Sequence, residues 1–535
     1  MNANSKRQFL GGAMALTVST VLVKIIGVIY KIPLMHILGA EGMGYFNSAY
    51  EMYTLFFVIS TAGIPIAISI MISECLAAGR IKNAERIYKT SLWLLVCVGT
   101  LGSLVMTFGA DFIARSIGDE KASYALVSVA PTVLFISISG AVRGYFQGYG
   151  NMHPTAVSQV VESLGKLVLG LLFALWAKGA GAVQEKTAGF AILGLTVGTA
   201  VSTLYLCLKK VKFRTAIEYT AITNDCDKRG YSLARLVRLA IPVTVSSLLV
   251  SVTRIVDMWV LMRRLPEGVE KLAVYGSYST MALPIYNLPS SLVAGIALAL
   301  VPSITAAARS GKGERENQLI ASGFKLCTLV ALPAALGIGI YSEQILNILF
   351  AGEQQAIAIS APLLSAISLS VLSCCLIQVC NSVLQAKGKT ALPIFSMLIG
   401  VAIKVVFAYF LIGMPQIGAM GAPVSTLLCN ITAVAIDLYF IEKYTAFETP
   451  LSRIFAKPFA ASLVSAALSV LSYIIIGRYV SNQGAAFVVA AVIFAVAYGC
   501  CLVLLRVFDS DELELLPFGK RLYLVFNKKA CGKRM

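Results

Sequence analysis

Six basic side chains fall inside long apolar segments of this chain: Lys24, Lys31, Lys166, Arg254, Lys325 and Lys404. Four acids do the same: Glu51, Glu162, Asp257 and Asp437. A charge at the centre of a bilayer costs at least about 2.5–3.5 kcal/mol on insertion scales, so each needs a partner or a water-filled cavity. Cations outnumber acids, so this interior is net positive, and the chemistry it suits is the binding of an anion. Lys24 and Lys31 lie seven residues apart, close to two helical turns, and share a stripe with Thr17, Thr20 and Gly27. That stripe either faces a cavity or pairs with Glu51. Arg254 has Ser247 and Ser251 before it and Asp257 three residues after, so the two charges either neutralise each other locally or leave the guanidinium for a ligand. Glu162 and Lys166 are spaced i,i+4 and are expected to pair. Lys404 has Gly400 where such an acid would stand, and is either a cavity cation or close enough to a helix end to reach the headgroups. Lys325, near the start of its segment, is expected to reach them.

Other chemistries find little support. Only His36 and His153 are present and none of the 12 cysteines forms a C-x-x-C, so no metal site is expected. The phosphate-cradling pattern G-x-x-x-x-G-K-[ST] does not occur, so ATP hydrolysis by that route is not encoded. No catalytic group is assigned, no cofactor is expected, and the chain is not expected to be an enzyme. Any driving force would come from Na+ or H+ coupling or from the membrane potential. A cytoplasm-negative potential drives anions outward by about 2.3 kcal/mol per charge per 100 mV.

The elements that must position these residues follow from composition. Of 535 residues 58% are hydrophobic and 13% charged, whereas soluble domains run at about 45–50% apolar and about 25% charged. Fourteen apolar segments, from 10–33 to 484–506, are each about the 20 residues needed to cross a hydrocarbon core of about 30 Å. An all-α polytopic membrane protein of about fourteen transmembrane helices is expected. An even number of crossings puts both termini on one side. Connections on that side carry 30 Lys and Arg against eight on the other, so both termini are expected in the cytoplasm of a multi-pass cell-membrane protein. The net charge of +18 is thereby explained by topology and by contact with anionic membrane lipids, and nucleic acid is not a partner.

The chain also repeats itself. Gln147, Gly150 and Lys166 recur as Gln385, Gly388 and Lys404, each at an offset of 238, and the mid-helix cation Lys24 has a counterpart in Arg254. The economical division is an N-lobe of six helices (1–208), a basic cytoplasmic linker (209–236), a C-lobe of six helices (237–442), two further helices (443–506) and a basic cytoplasmic tail (507–535). Parallel repeats of this kind support rocking of one half against the other. Gly63 with Pro65, and Pro284, Pro289 and Pro302 around Tyr286-Asn287-Leu288, are expected to interrupt two of the helices.

Ile37-Leu38-Gly39-Ala40-Glu41-Gly42-Met43-Gly44-Tyr45, Thr61-Ala62-Gly63-Ile64-Pro65-Ile66-Ala67-Ile68-Ser69, and Arg143-Gly144-Tyr145-Phe146-Gln147-Gly148 running into Met152-His153-Pro154-Thr155-Ala156 carry a resemblance over essentially the whole chain. The chain resembles the flippases of the multidrug/oligosaccharidyl-lipid/polysaccharide (MOP) superfamily, in the branch of stage V sporulation protein B and the MurJ lipid II flippase. The resemblance implies a MATE/MurJ-like fold of two pseudo-symmetric lobes. It further implies an alternating-access transporter that flips an undecaprenyl-pyrophosphate-linked saccharide, a polyprenyl-linked glycan serving peptidoglycan or polysaccharide biosynthesis, vegetative or in sporulation. Lys24, Lys31 and Arg254 match the family's pyrophosphate-holding positions; Glu51, Lys166 and Lys404 complete the candidate substrate-binding set. Asp257 and Asn430 are the candidates for ion coupling. The transporter is expected to act as a monomer. That branch tends to carry arginine where Lys24 and Lys31 stand, and a cation where Glu51 stands, which separates this chain from lipid II itself more than from the lipid-pyrophosphate class. The alternative is a drug/cation antiporter of the same fold.

Overall fold

The computed structural model describes residues 3–217 and 229–507, apart from 119, 267, 311, 312, 446, 449, 480, 481 and 506. The middle of the expected linker and nearly all of the expected tail lie outside the described residues. Among those described, every regular element is helical, as a bilayer demands of a chain whose backbone groups must be satisfied internally.

Two compact units emerge, one of residues 1–280 with 407–422, the other of 281–406 with 423–535. The first contains α1 (Ala3–Thr61), α2 (Gly63–Ala77), α3 (Ile81–Phe108), α4 (Ala110–Ile117), α5 (Ser123–Gly148), α6 (His153–Gly179), α7 (Gln184–Ile217), α8 (Arg229–Arg264) and α9 (Lys271–Ser277). A π-helical turn, Tyr278–Ala282, follows α9. The second contains α10 (Leu283–Arg309), α11 (Gly313–Ile340), α12 (Ser342–Leu349), α13 (Gln354–Ser368), α14 (Val371–Ala386), most of α15 (Ala391–Ile412), nearly all of α16 (Gly421–Tyr444), α17 (Leu451–Tyr479) and α18 (Gln483–Leu504).

Twelve of these stretches are long and apolar enough to cross a membrane, or thirteen when α13 and α14, bent by 47°, count as one. The expected fourteen reappear once the longest, Val18–Ala77, is divided. Within it Gly39 adopts φ 69°, ψ 179°, a left-handed value that ends the first helical half. The rings of Tyr30 and Phe46 lie 6.0 Å apart, although sixteen residues of straight helix would separate them by about 24 Å. The chain therefore doubles back at Gly39 into two antiparallel spans. The carbonyls left open at the end of the first are taken by Lys178 of α6, whose Nζ donates to Ile37 O at 2.8 Å and His36 O at 3.3 Å.

Small and hydroxylic residues join the helices. A Cβ added to Gly165 would meet Gly198 Cα at 2.6 Å, and one on Gly194 would strike the backbone of Gly170, so α6 and α7 touch along a G-x-x-x-G edge. Hydroxyl pairs cross between helices at Ser60–Ser137 (2.7 Å), Thr132–Thr196 (2.7 Å) and Ser139–Thr203 (2.8 Å). Where neighbouring helices are as apolar as lipid, such contacts supply the association that hydrophobicity cannot.

The repeat read from the sequence is a repeat of backbone geometry. Gly150 (φ 74°) and Gly388 (φ 72°) occupy the same left-handed conformation. In both turns the glycine N–H donates to the glutamine carbonyl three residues back, and the next N–H to the carbonyl five back, all at 2.9 Å. The helix interruptions are more local than expected. The first is a single turn at Ala62 between α1 and α2; the second is the π turn at 278–282, and α10 then runs unbroken through Tyr286-Asn287-Leu288.

Candidate functional site

In the first unit the hairpin of α1 meets α6, α8 and the π turn. Glycines permit the approach: a Cβ on Gly63 would run into the carbonyl of Ala240 and the hydroxyl of Thr244 on α8, and one on Gly276 would strike the carbonyl of Ala40. Here Lys31, Glu51, Lys166, Arg254 and Asp257, which the sequence spreads over four apolar segments, come near one another.

Lys31 is held by an irregular backbone. Its Nζ donates to the carbonyl oxygen of Ser279 at 2.9 Å. The π register would hand that carbonyl to the N–H of residue 284, but residue 284 is proline and has none. An orphan acceptor on one segment thus anchors the cation of another. Beside it the side-chain amide of Asn47 donates to Thr280 Oγ1 at 2.7 Å.

Glu51 is buried at 7% exposure. Its Oε1 lies 3.9 Å from Arg254 Nη1, and its Oε2 is buried with no hydrogen-bond partner. Lys31 lies in the field of Glu51, Arg254 and Lys166, and Glu51 in that of Asp257, itself buried. Glu51 pairs loosely with Arg254, and Lys31 makes its hydrogen bond to the Ser279 carbonyl rather than to Glu51. Lys24 is exposed, about 10 Å from Lys31 along the same helix. Tyr278 Oη, buried without a hydrogen-bond partner, lies near Asp257.

Lys166 does not pair with Glu162. Arg143 of α5 takes that carboxylate, Nη2 to Oε2 at 2.8 Å, while its Nε donates to Ser158 Oγ at 3.0 Å. Lys166 Nζ instead sits over the rings of Tyr50 (4.4 Å to the centroid), Tyr30 (5.1 Å) and Phe46 (6.0 Å), within the range at which an aromatic face attracts a cation. The aromatic cage and the π-turn carbonyl are the two features that the sequence reading misses. Their signals were present: aromatics at 46, 50, 53 and 57, and a proline five residues after Ser279.

Lys404 and Asn430 belong to the second unit. Lys404 is 1% exposed, and its Nζ donates to Thr426 Oγ1 at 3.0 Å, so it reaches no headgroup. Asn430 donates to Tyr286 Oη at 3.0 Å. Thr426, Asn430 and the buried Asp437 fall on one face of α16 by helical spacing. The two ion-coupling candidates, Asp257 and Asn430, thus lie in different units.

Comparison with known proteins places the chain in a family. Stage V sporulation protein B of Bacillus subtilis is 24% identical over 97% of this chain and 100% of its own length. Lipid II flippase MurJ of the same organism is 25% identical, over 97% and 98%. A solved structure of lipid II flippase MurJ in an inward closed conformation superposes with a TM-score of 0.70 at 14% identity, covering 92% of this chain and 99% of that one, a likeness of fold. Residues 242–410 match the MatE family, and residues 9–307, more than half of the chain, match the family described as polysaccharide biosynthesis protein. This multi-pass membrane protein therefore belongs to the polysaccharide biosynthesis protein family.

Proposed function

We propose that this protein is an alternating-access flippase that carries an undecaprenyl-pyrophosphate-linked saccharide from the inner to the outer leaflet, a lipid II-like peptidoglycan precursor or another polysaccharide unit. The observation that carries the reading is the convergence of Lys31, Lys166 and Arg254 inside the membrane spans. A polyprenyl pyrophosphate presents to such a cluster two or more negative charges on a lipid that cannot leave the membrane. Arg254 supplies a forked donor, Lys31 and Lys166 point charges, and the exposed Lys24 a first contact along the same helix. Lys404 would serve the second half from its buried position.

In this reading the protein works in the plasma membrane as a monomer with both termini cytoplasmic. The six-helix lobes 1–208 and 237–442 rock about the basic linker, with 443–506 appended. Asp257 and Asn430 are the residues proposed to sense Na+ or H+. The membrane potential alone would contribute about 4.6 kcal/mol per 100 mV to moving a doubly charged headgroup outward.

The test is translocation of fluorescent lipid II in proteoliposomes by the wild type and by the Lys24→Ala/Arg254→Ala variant. Flipping by the wild type and its loss in an equally well inserted variant is the expected result. A wild type that inserts normally and flips nothing removes lipid II from consideration. The MatE match over 242–410, together with Glu51 and Asp257 in the same cluster, favours one other reading, drug/cation antiport. That transporter would move a cationic dye in a Glu51- or Asp257-dependent way and would not need Lys24.

A further inference from the structure

Glu51 is difficult to explain as a simple structural partner. Charge-assisted hydrogen bonds to a carboxylate settle at about 2.7–2.9 Å, yet its contact with Arg254 spans 3.9 Å and its second oxygen receives no donor while buried. A buried acid held this loosely is costly unless something else sets its place. What sets it is the company of Lys31, Lys166 and Arg254, three cations in a low-dielectric space that would repel one another without the acids.

We propose that Glu51 is a resident anion, an internal stand-in that occupies Arg254 when the site is empty and is displaced from it by the diphosphate of the polyprenyl substrate. The proposal rests on the flippase reading and assigns Glu51 a role within it. Three cations and two acids leave the empty cluster with one net positive charge. A diphosphate carrying two charges reverses that sign, so Glu51 and the substrate cannot both hold the guanidinium at short range. The exchange gives binding a built-in limit: when the headgroup departs, Glu51 closes back on Arg254 and favours release. A carrier needs this, since a site that binds its cargo too tightly does not turn over. The same competition selects for charge, because a lipid monophosphate or an uncharged polyprenol displaces a carboxylate less well than a diphosphate does.

The experiment measures binding of undecaprenyl pyrophosphate, with undecaprenol as the uncharged control, to the full-length protein in nanodiscs. It compares the wild type, Glu51→Gln, Glu51→Asp and Arg254→Ala, each checked by thermal unfolding. Glu51→Gln is expected to bind undecaprenyl pyrophosphate about tenfold more tightly, about 1.4 kcal/mol, with slower flipping per bound molecule and unchanged affinity for undecaprenol. Glu51→Asp, whose shorter arm retreats from Arg254, is expected to fall between them and keeps the test available if the glutamine variant is unstable. Unchanged or weaker binding in both Glu51 variants, with Arg254→Ala impaired, overturns the stand-in role and leaves the anion site in place. A wild type whose binding of undecaprenyl pyrophosphate does not depend on Arg254 overturns the anion site itself, and with it the flippase reading.

Discussion

Lys166 and Lys404 stand at the same place in the repeat, each sixteen residues after an identical left-handed turn, yet they lie in opposite environments. Lys166 is half-buried over three aromatic rings and feels the charge of Lys31. Lys404 is sealed in the second unit against Thr426. The positions around them diverge together. Arg143 and Glu162, an ion pair in the first repeat, have Asn381 and Gly400 at the matching offsets in the second. Gly400 is there because α15 and α16 nearly touch: a Cβ on it would meet Cys429 O at 2.8 Å. At this position one repeat keeps an acid answered by Arg143, while the other has a glycine that lets α15 and α16 meet. A shared backbone therefore does not confer shared surroundings: one lysine lies over aromatic rings and the other against a hydroxyl.

The sharpest way to break this comparison is at the ion pair. Arg143→Ala or Glu162→Ala should each cost about 3–5 kcal/mol, because either leaves a buried charge without its partner. The double variant should cost less than either single change, as the second repeat does without both. Unfolding in detergent micelles measures all three, and singles that simply add would mean the pair is not coupled. Lys404→Ala comes next, at about 2–4 kcal/mol for a cavity and a lost buried hydrogen bond. Lys166→Ala should cost about 1 kcal/mol of stability or less and instead reduce flipping, with Lys166→Arg restoring most of it. Stability losses of equal size at the two lysines would remove the distinction between them.

The features legible in the sequence are those a bilayer imposes. The spans follow from length and hydropathy, since apolar runs of about 20 residues fit the bilayer as helices and are too long for the strands of a barrel. The repeat follows from residues that turns and mid-membrane charges restrict to few types. Less legible is which partner each charge takes. Glu162 and Lys166 are well spaced for a pair, but an i,i+4 contact contributes only about 0.2–0.5 kcal/mol. A fork from Arg143 on another helix, backed by Ser158, outweighs it. The anchor of Lys31 is hidden for a similar reason: it is a backbone carbonyl, freed by a hydrogen-bond register that no side-chain pattern announces and of which Pro284 is the one trace in the sequence.

The smallest effect tests the premise of the comparison. If the two turns are truly one structure, Gly150→Ala and Gly388→Ala should cost the same. Each glycine holds a left-handed conformation, φ 74° and 72°, that a residue with a Cβ adopts at a penalty of about 1–2 kcal/mol. Neither added Cβ would meet another atom within 4 Å, so packing contributes nothing to the difference and the conformational term stands alone. Thermal unfolding of the two variants should therefore give losses that agree to within about 0.5 kcal/mol, the usual scatter for independent sites. A larger gap would mean that one turn is strained by its surroundings, and that the divergence seen at Lys166 and Lys404 begins in the backbone rather than in the side chains that face them.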